Sequence, residues 1–157
     1  MPIVHLGVLD FPHAEAPNRI GRRGRRKPKA SRTLTTGDLA EILEAKYHII
    51  ELFWTLHEQD NVTDLEESLS GAIENFIMGA PISIDPFGSA MSKIEDRFKQ
   101  MLSNKELDSL GYPGIPTAAA MAGVSARFKS GFTKNRTPRP SFISSGQYQG
   151  AFKAWVE

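Results

Sequence analysis

The sequence predicts an α+β fold: two long helices, or one long kinked helix, and a short third helix, packed on a small antiparallel sheet behind an extended basic N-terminal arm. Three patterns predict it. Apolar residues recur at three- and four-residue steps through the middle of the chain, they alternate at both ends, and eight of the 19 Lys and Arg residues crowd between positions 19 and 32. A chain of 157 residues holds one modest core, so residues 1–35 are expected as the arm with a short strand and 36–157 as a single α+β domain.

Val4, Leu6 and Val8 share one face of a short N-terminal strand. Pro12, Pro17, Gly21, Gly24 and Pro28 follow among the cations, a composition that opposes helix nucleation and burial. Asp38 with Glu41 spells a capping box, and Leu39, Ile42, Leu43, Tyr47, Ile50, Phe53, Trp54 and His57 mark one face of a helix over 38–58. Asp60-Asn61 is expected to weaken that helix. Thr63 with Glu66 restarts it, and Leu65, Leu69, Ala72, Ile73, Phe76 and Ile77 carry it to a stop at Gly79 and Pro81. Phe53, Trp54, Phe76 and Ile77 are expected in the core, or failing that in an interface.

Positions 82–88 read as a loop. Ser92 with Glu95 opens a third helix carrying Ile94, Phe98, Met101 and Leu102. Residues 111–116, rich in Gly and Pro, form a rigid turn, and the alanines after Thr117 form one or two helical turns that stop near Gly123. Residues 127–139 read as a basic loop. Tyr148, Gly150, Phe152, Ala154 and Val156 alternate with polar neighbours in a final strand, whose Trp155 on the other face calls for cover from the helices or another subunit.

Most chemistry is disfavoured by composition and spacing. The chain has no cysteine, which excludes disulfides and thiolate metal sites and agrees with a reducing compartment. Its apolar runs, such as Ile49 to Trp54 with Glu51 inside, fall far short of the roughly 20 residues a membrane span needs. The N-terminus reads as neither signal nor transit peptide. His48 and His57 are nine residues apart, not at the spacing near four that a helical metal pair uses, and His57-Glu58 lacks the second histidine of a zinc-protease helix. The pairs Glu41/Glu44 and Glu66/Glu67 read as solvated helix faces, and Gly21 to Gly24 lacks the ending of a phosphate loop. No catalytic, cofactor or metal residue is assigned, and an enzyme is not expected.

Charge is the strong signal. Arg19, Arg22, Arg23, Arg25, Arg26, Lys27, Lys29 and Arg32 run without an intervening acid; Asp38, Glu41, Glu44, Glu51, Glu58, Asp60, Asp64, Glu66, Glu67 and Glu74 then face a single Lys46. The formal net charge of +1 hides this sorting. Such an arm would bind phosphates by counterion release, lie on the acidic helices of a neighbouring copy, or stay solvated. No aromatic separates Phe11 from Tyr47, so the stacking platform of a single-strand binder is missing, which favours assembly or passive contact with duplex. Arg127, Lys129, Lys134, Arg136 and Arg139 form a second basic patch.

The segments Ile115-Pro116-Thr117-Ala118-Ala119, Gly123-Val124 and Arg139-Pro140-Ser141-Phe142-Ile143-Ser144-Ser145-Gly146-Gln147-Tyr148-Gln149-Gly150-Ala151-Phe152 resemble the closing segment of tailed-bacteriophage neck and tail-completion proteins. There, a proline-rich stretch leads through a Thr-Gly or Ser-Gly turn into a strand. The resemblance covers about 38–156 as an arrangement and about 142–152 letter by letter. It implies a structural virion subunit, forming a ring at the head-to-tail junction or capping the tail tube. The implied partners are sister copies, other neck or tail proteins and packaged DNA, with no membrane and no cofactor; the implied location is the virion, assembled in the host cytoplasm. A nucleic-acid-binding accessory protein that uses positions 19–32 is the alternative expectation, and a helical adaptor for one acidic partner is the third.

Overall fold

The computed structural model describes residues 3–12, 34–81, 85–123, 137–143 and 145–157. The fold is α+β, as expected, with six helices and a two-stranded antiparallel sheet among the described residues. Strand β1 (Val4–Val8) pairs with β2 (Phe152–Val156) in the register Val4↔Val156 to Val8↔Phe152, so the two ends of the chain make the sheet together. The helices are α1 (Thr36–Tyr47), α2 (Ile49–Ile77), α3 (Gly88–Ser103), α4 (Glu106–Ser109), α5 (Ala118–Met121) and α6 (Gln147–Ala151).

Helix α1 begins two residues before the expected cap. The capping box is Thr35 with Asp38: the Asp38 N–H donates to Thr35 Oγ1 at 3.1 Å, and the Thr35 N–H donates back to Asp38 Oδ2 at 3.1 Å. Its end falls at His48, in the left-handed region at φ 51°. There the chain turns and restarts as α2 without a capping residue of its own, and Glu44 supplies the cap. Its carboxylate accepts the N–H groups of Ile50 at 2.8 Å and Glu51 at 3.2 Å, which corrects the expectation that Glu44 belongs to a merely solvated face.

Asp60-Asn61 does not weaken α2. The helix kinks at His57 (φ −118°, ψ 16°) and runs on to Ile77. Thr63 opens no new helix; its hydroxyl donates to the Gln59 carbonyl at 2.9 Å inside the turn. Neighbouring α3 overrides the local preference by taking up the polar groups, since Arg97 Nη1 donates to Asn61 Oδ1 at 2.6 Å.

The core lies between α2, α3 and the sheet. Ala90, Met91, Ile94, Phe98, Met101 and Leu102 form the buried face of α3, and Ile49, Leu52 and Phe53 face it from α2. Phe98 is its centre. Its ring stacks on Phe152 with centroids 3.9 Å apart and meets Phe53 edge-on at 5.2 Å and Tyr148 at 6.0 Å. The final strand is shorter than its alternation predicts: Gly146, at φ 75°, starts one turn of helix through Tyr148, and only Phe152 onward is extended. On the outer face of the sheet Trp155 is 44% exposed, stacked on His5 and lying over Gly7, where any Cβ would come within 3.0 Å of its ring; the helices pack on the other face. The glycines at 111 and 114 take positive φ, as a tight turn requires, and Thr117 caps α5 by accepting the Ala120 N–H before the stop at Gly123.

Candidate assembly surfaces

The basic residues Arg19, Arg22, Arg23, Arg25, Arg26, Lys27, Lys29 and Arg32 lie outside the described residues, as do Arg127, Lys129, Lys134 and Arg136 of the second patch. What the structure describes is the ground on either side of them. Pro12 bridges to Thr35 across the intervening segment 13–34. Thr36, itself buried, fastens the junction: its hydroxyl accepts the Phe11 N–H at 2.7 Å and donates to the Leu9 carbonyl at 2.6 Å. The Thr36 N–H donates to the Phe11 carbonyl at 2.8 Å, and the Gly37 N–H to Asp10 Oδ1 at 2.9 Å. Hydrogen bonds from Thr35 and Gly37 hold the Asp10 carboxyl below its usual range. The described residues on either side of the cationic stretch, Pro12 and Thr35, therefore lie side by side, behind a strand already fixed in the sheet. At that junction Leu9, Phe11 and Leu34 form an apolar ledge, each between 43% and 52% exposed.

Arg139 is described. Its Nη1 donates to the carbonyls of Ile143 at 2.5 Å and Pro140 at 3.3 Å, so its guanidinium ties down the turn before α6.

The acidic territory divides into two parts. Asp64, with its side chain 10% exposed, is consumed by the fold: Lys93 Nζ donates to Oδ1 at 2.7 Å and Arg97 Nη2 to Oδ2 at 2.5 Å, and Lys93 also reaches Glu67 at 3.2 Å. Burial pushes the Asp64 carboxyl up, but the hydrogen bonds and charges of Lys93 and Arg97 outweigh it and hold the group below its usual range. A carboxyl lowered in the folded state stabilises the fold above its unfolded value near 3.8 and loses that contribution as pH falls through the folded value. Replacing Asp64 with alanine is expected to cost about 2 kcal/mol at neutral pH, because the mostly buried Arg97 guanidinium is left without its carboxylate partner. Urea unfolding at pH 7 and pH 3 checks it, with a smaller difference between variant and wild type at pH 3.

The other part of the acidic territory is open. Glu58, Asp60, Glu66 and Glu74 are exposed and make no ion pair among the described residues, and α2 carries no basic residue in its last turn. Its final turns also overshoot α3. Asn61 meets Arg97, Asp64 meets Lys93, and Ser68 meets Ser89 one residue from the start of α3, so residues beyond Leu69 have no facing turn of that helix. Phe76 and Ile77, expected in the core first, are 63% and 75% exposed, and Ile73 and Met78 stand open beside them. Only Phe53 of the four apolar residues singled out is fully buried; Trp54 is half-buried. The spacing correctly marks one face of a helix but carries no information on how far the neighbouring helix extends.

Where this stripe meets the sheet there is an apolar hollow of about 220 Å³, lined by Val4, Leu65, Glu66, Leu69, Phe87 and Val156. Its walls carry no serine, threonine, cysteine, lysine or histidine. Among the described residues no three of His, Cys, Asp and Glu gather as a metal would require, and no helix is long and apolar enough to cross a membrane. Comparison with protein families, curated proteins and solved structures finds no match to this chain.

Proposed function

We propose that this chain is a structural subunit of the head-to-tail junction of a tailed bacteriophage, a neck, tail-completion or tail-terminator component that works by oligomeric assembly into a ring. The observation that carries the reading is the coexistence, on one small chain, of an exposed acidic and apolar helix end with a cationic segment bracketed by its own apolar ledge. Exposed apolar groups concentrated at one end of a helix mark contact surfaces, and unlike charges give such contacts their direction. The resemblance of about 142–152 to phage neck proteins adds the context, and the partner contacts fall to the cations from Arg19 to Arg32 and to Arg127, Lys129, Lys134 and Arg136, since Arg139 holds the turn before α6. On this reading the protein performs no reaction, and its place is the virion, after assembly in the host cytoplasm.

Sedimentation velocity of the purified protein across concentration and salt, with electron microscopy of the largest species, tests the proposal. Closed rings, or binding to a ring-shaped virion partner, are expected. A monomer that ignores virion components at every concentration contradicts it.

A second reading follows from the eight uninterrupted cations: non-sequence-specific contact with nucleic acid. If all eight neutralise duplex phosphates, log K falls against log salt with a slope of about −7. Duplex binding with that slope, in a protein that stays monomeric, would favour this reading over assembly.

A further inference from the structure

We propose that the projecting end of α2 is the acceptor half of a head-to-tail contact between two copies of this chain, and that the donor half is the ledge of Leu9, Phe11 and Leu34. This deepens the assembly reading and rests on it.

Four observations carry the assignment. The acceptor follows one helix: Leu65 and Leu69 line the hollow, and the exposed Ile73, Phe76 and Ile77 follow them on the same helix over about 12 Å beyond Leu69. Its surround is anionic, because Glu66 forms one wall of the hollow, Glu74 stands on the last turn, and the helix C-terminus adds its own partial negative charge with no lysine or arginine to offset it. A matching occupant is therefore apolar and cationic, and this sequence contains one. The ledge brackets the segment that holds eight of the chain's 19 Lys and Arg residues.

The two surfaces also lie at opposite ends of β1. Val4 lines the hollow and Leu9 begins the ledge, which separates them by about 17 Å at the rise of an extended chain. With β1 held in the sheet, the hollow and the ledge of one copy stay at opposite ends of that strand, whereas successive copies can join end to end. Pairing two helix ends with each other would oppose Glu66, Glu74 and two helix C-termini across the contact, a like-charge arrangement that disfavours the symmetric alternative and any anionic lipid surface. Contacts between unlike surfaces close into rings when the rotation permits, which is the geometry the assembly reading calls for.

Two variants separate this proposal from its parent. Phe76→Glu with Ile77→Glu blocks the acceptor, and Phe11→Asp with Leu34→Asp blocks the donor; all four residues are exposed, so circular dichroism should show each variant folded. Each variant alone is expected to lose self-association by about 30-fold or more in sedimentation velocity. Mixed one to one, they are expected to form a dimer and nothing larger, since each dimer uses the single intact acceptor and the single intact donor. If wild type assembles and both variants assemble as well as it does, the surfaces are wrongly assigned while the assembly reading stands. If wild type assembles but the mixture stays monomeric, the head-to-tail pairing is overturned. If wild type never self-associates under any condition, the assembly reading falls and this proposal with it.

Discussion

Replacing Phe98 with alanine is expected to lower the free energy of unfolding by about 4 kcal/mol, the range observed when a fully buried phenylalanine is truncated in a core that collapses only partly around the gap. Phe98 is fully buried and is the ring through which α2, the sheet and α6 touch one another, by way of Phe53, Phe152 and Tyr148. Its loss therefore unsettles three interfaces at once. Against a total stability of about 5–15 kcal/mol, a deficit of that size leaves the variant marginal. Urea titration should show the midpoint falling with little change in slope. The companion variant Phe76→Ala is expected to change stability by no more than about 0.5 kcal/mol, since its ring is already in solvent. Equal losses from the two substitutions would mean that α2 does not end in open solvent.

The second large effect concerns association. Exchanging all eight of Arg19, Arg22, Arg23, Arg25, Arg26, Lys27, Lys29 and Arg32 for glutamine is expected to weaken self-association by about 100-fold or more in low salt. The difference should shrink as salt rises toward about 1 M, where the Debye length falls to about 3 Å. Light scattering at matched concentrations reads both numbers. An association constant that ignores the substitution and the salt would remove these cations from the contact; loss of duplex binding with assembly intact would assign them to nucleic acid.

The strands were legible in part because a two-residue period suits an extended backbone: Val4, Leu6 and Val8 do face the core with Phe152 and Ala154, but the same alternation through Tyr148 and Gly150 falls on a helical turn. The third helix was equally clear, its apolar residues 94, 98, 101 and 102 all buried. Helix ends were not. The break at His48 depends on Glu44 folding forward to cap α2, and the passage through Asp60-Asn61 depends on Arg97 and Lys93, 29 or more residues away. The second is a tertiary contact, invisible to a window of neighbouring residues; the first spans only six or seven residues but depends on a left-handed turn at His48 that helix propensity does not signal. The same limit explains Phe76 and Ile77, whose pattern matches that of a buried face although no helix among the described residues covers them. Of the surface proposed for assembly, the sequence made the cations plain but gave no sign that Thr36 would draw their two ends together, and it counted Asp64 among available acids when the fold had already used it.

The chain has no cysteine, so a disulfide can be placed where the account requires contact and nowhere else. The most direct measurement is oxidative cross-linking of the double variant Met78→Cys with Leu34→Cys, read on a denaturing gel beside the two single variants. Unlike surfaces meeting between copies predict a covalent ladder from the double variant, and a single dimer band when the two single variants are mixed. A double variant that stays monomeric under oxidation, or a Met78→Cys variant that dimerises with itself as efficiently as it does with its Leu34→Cys counterpart, would contradict it.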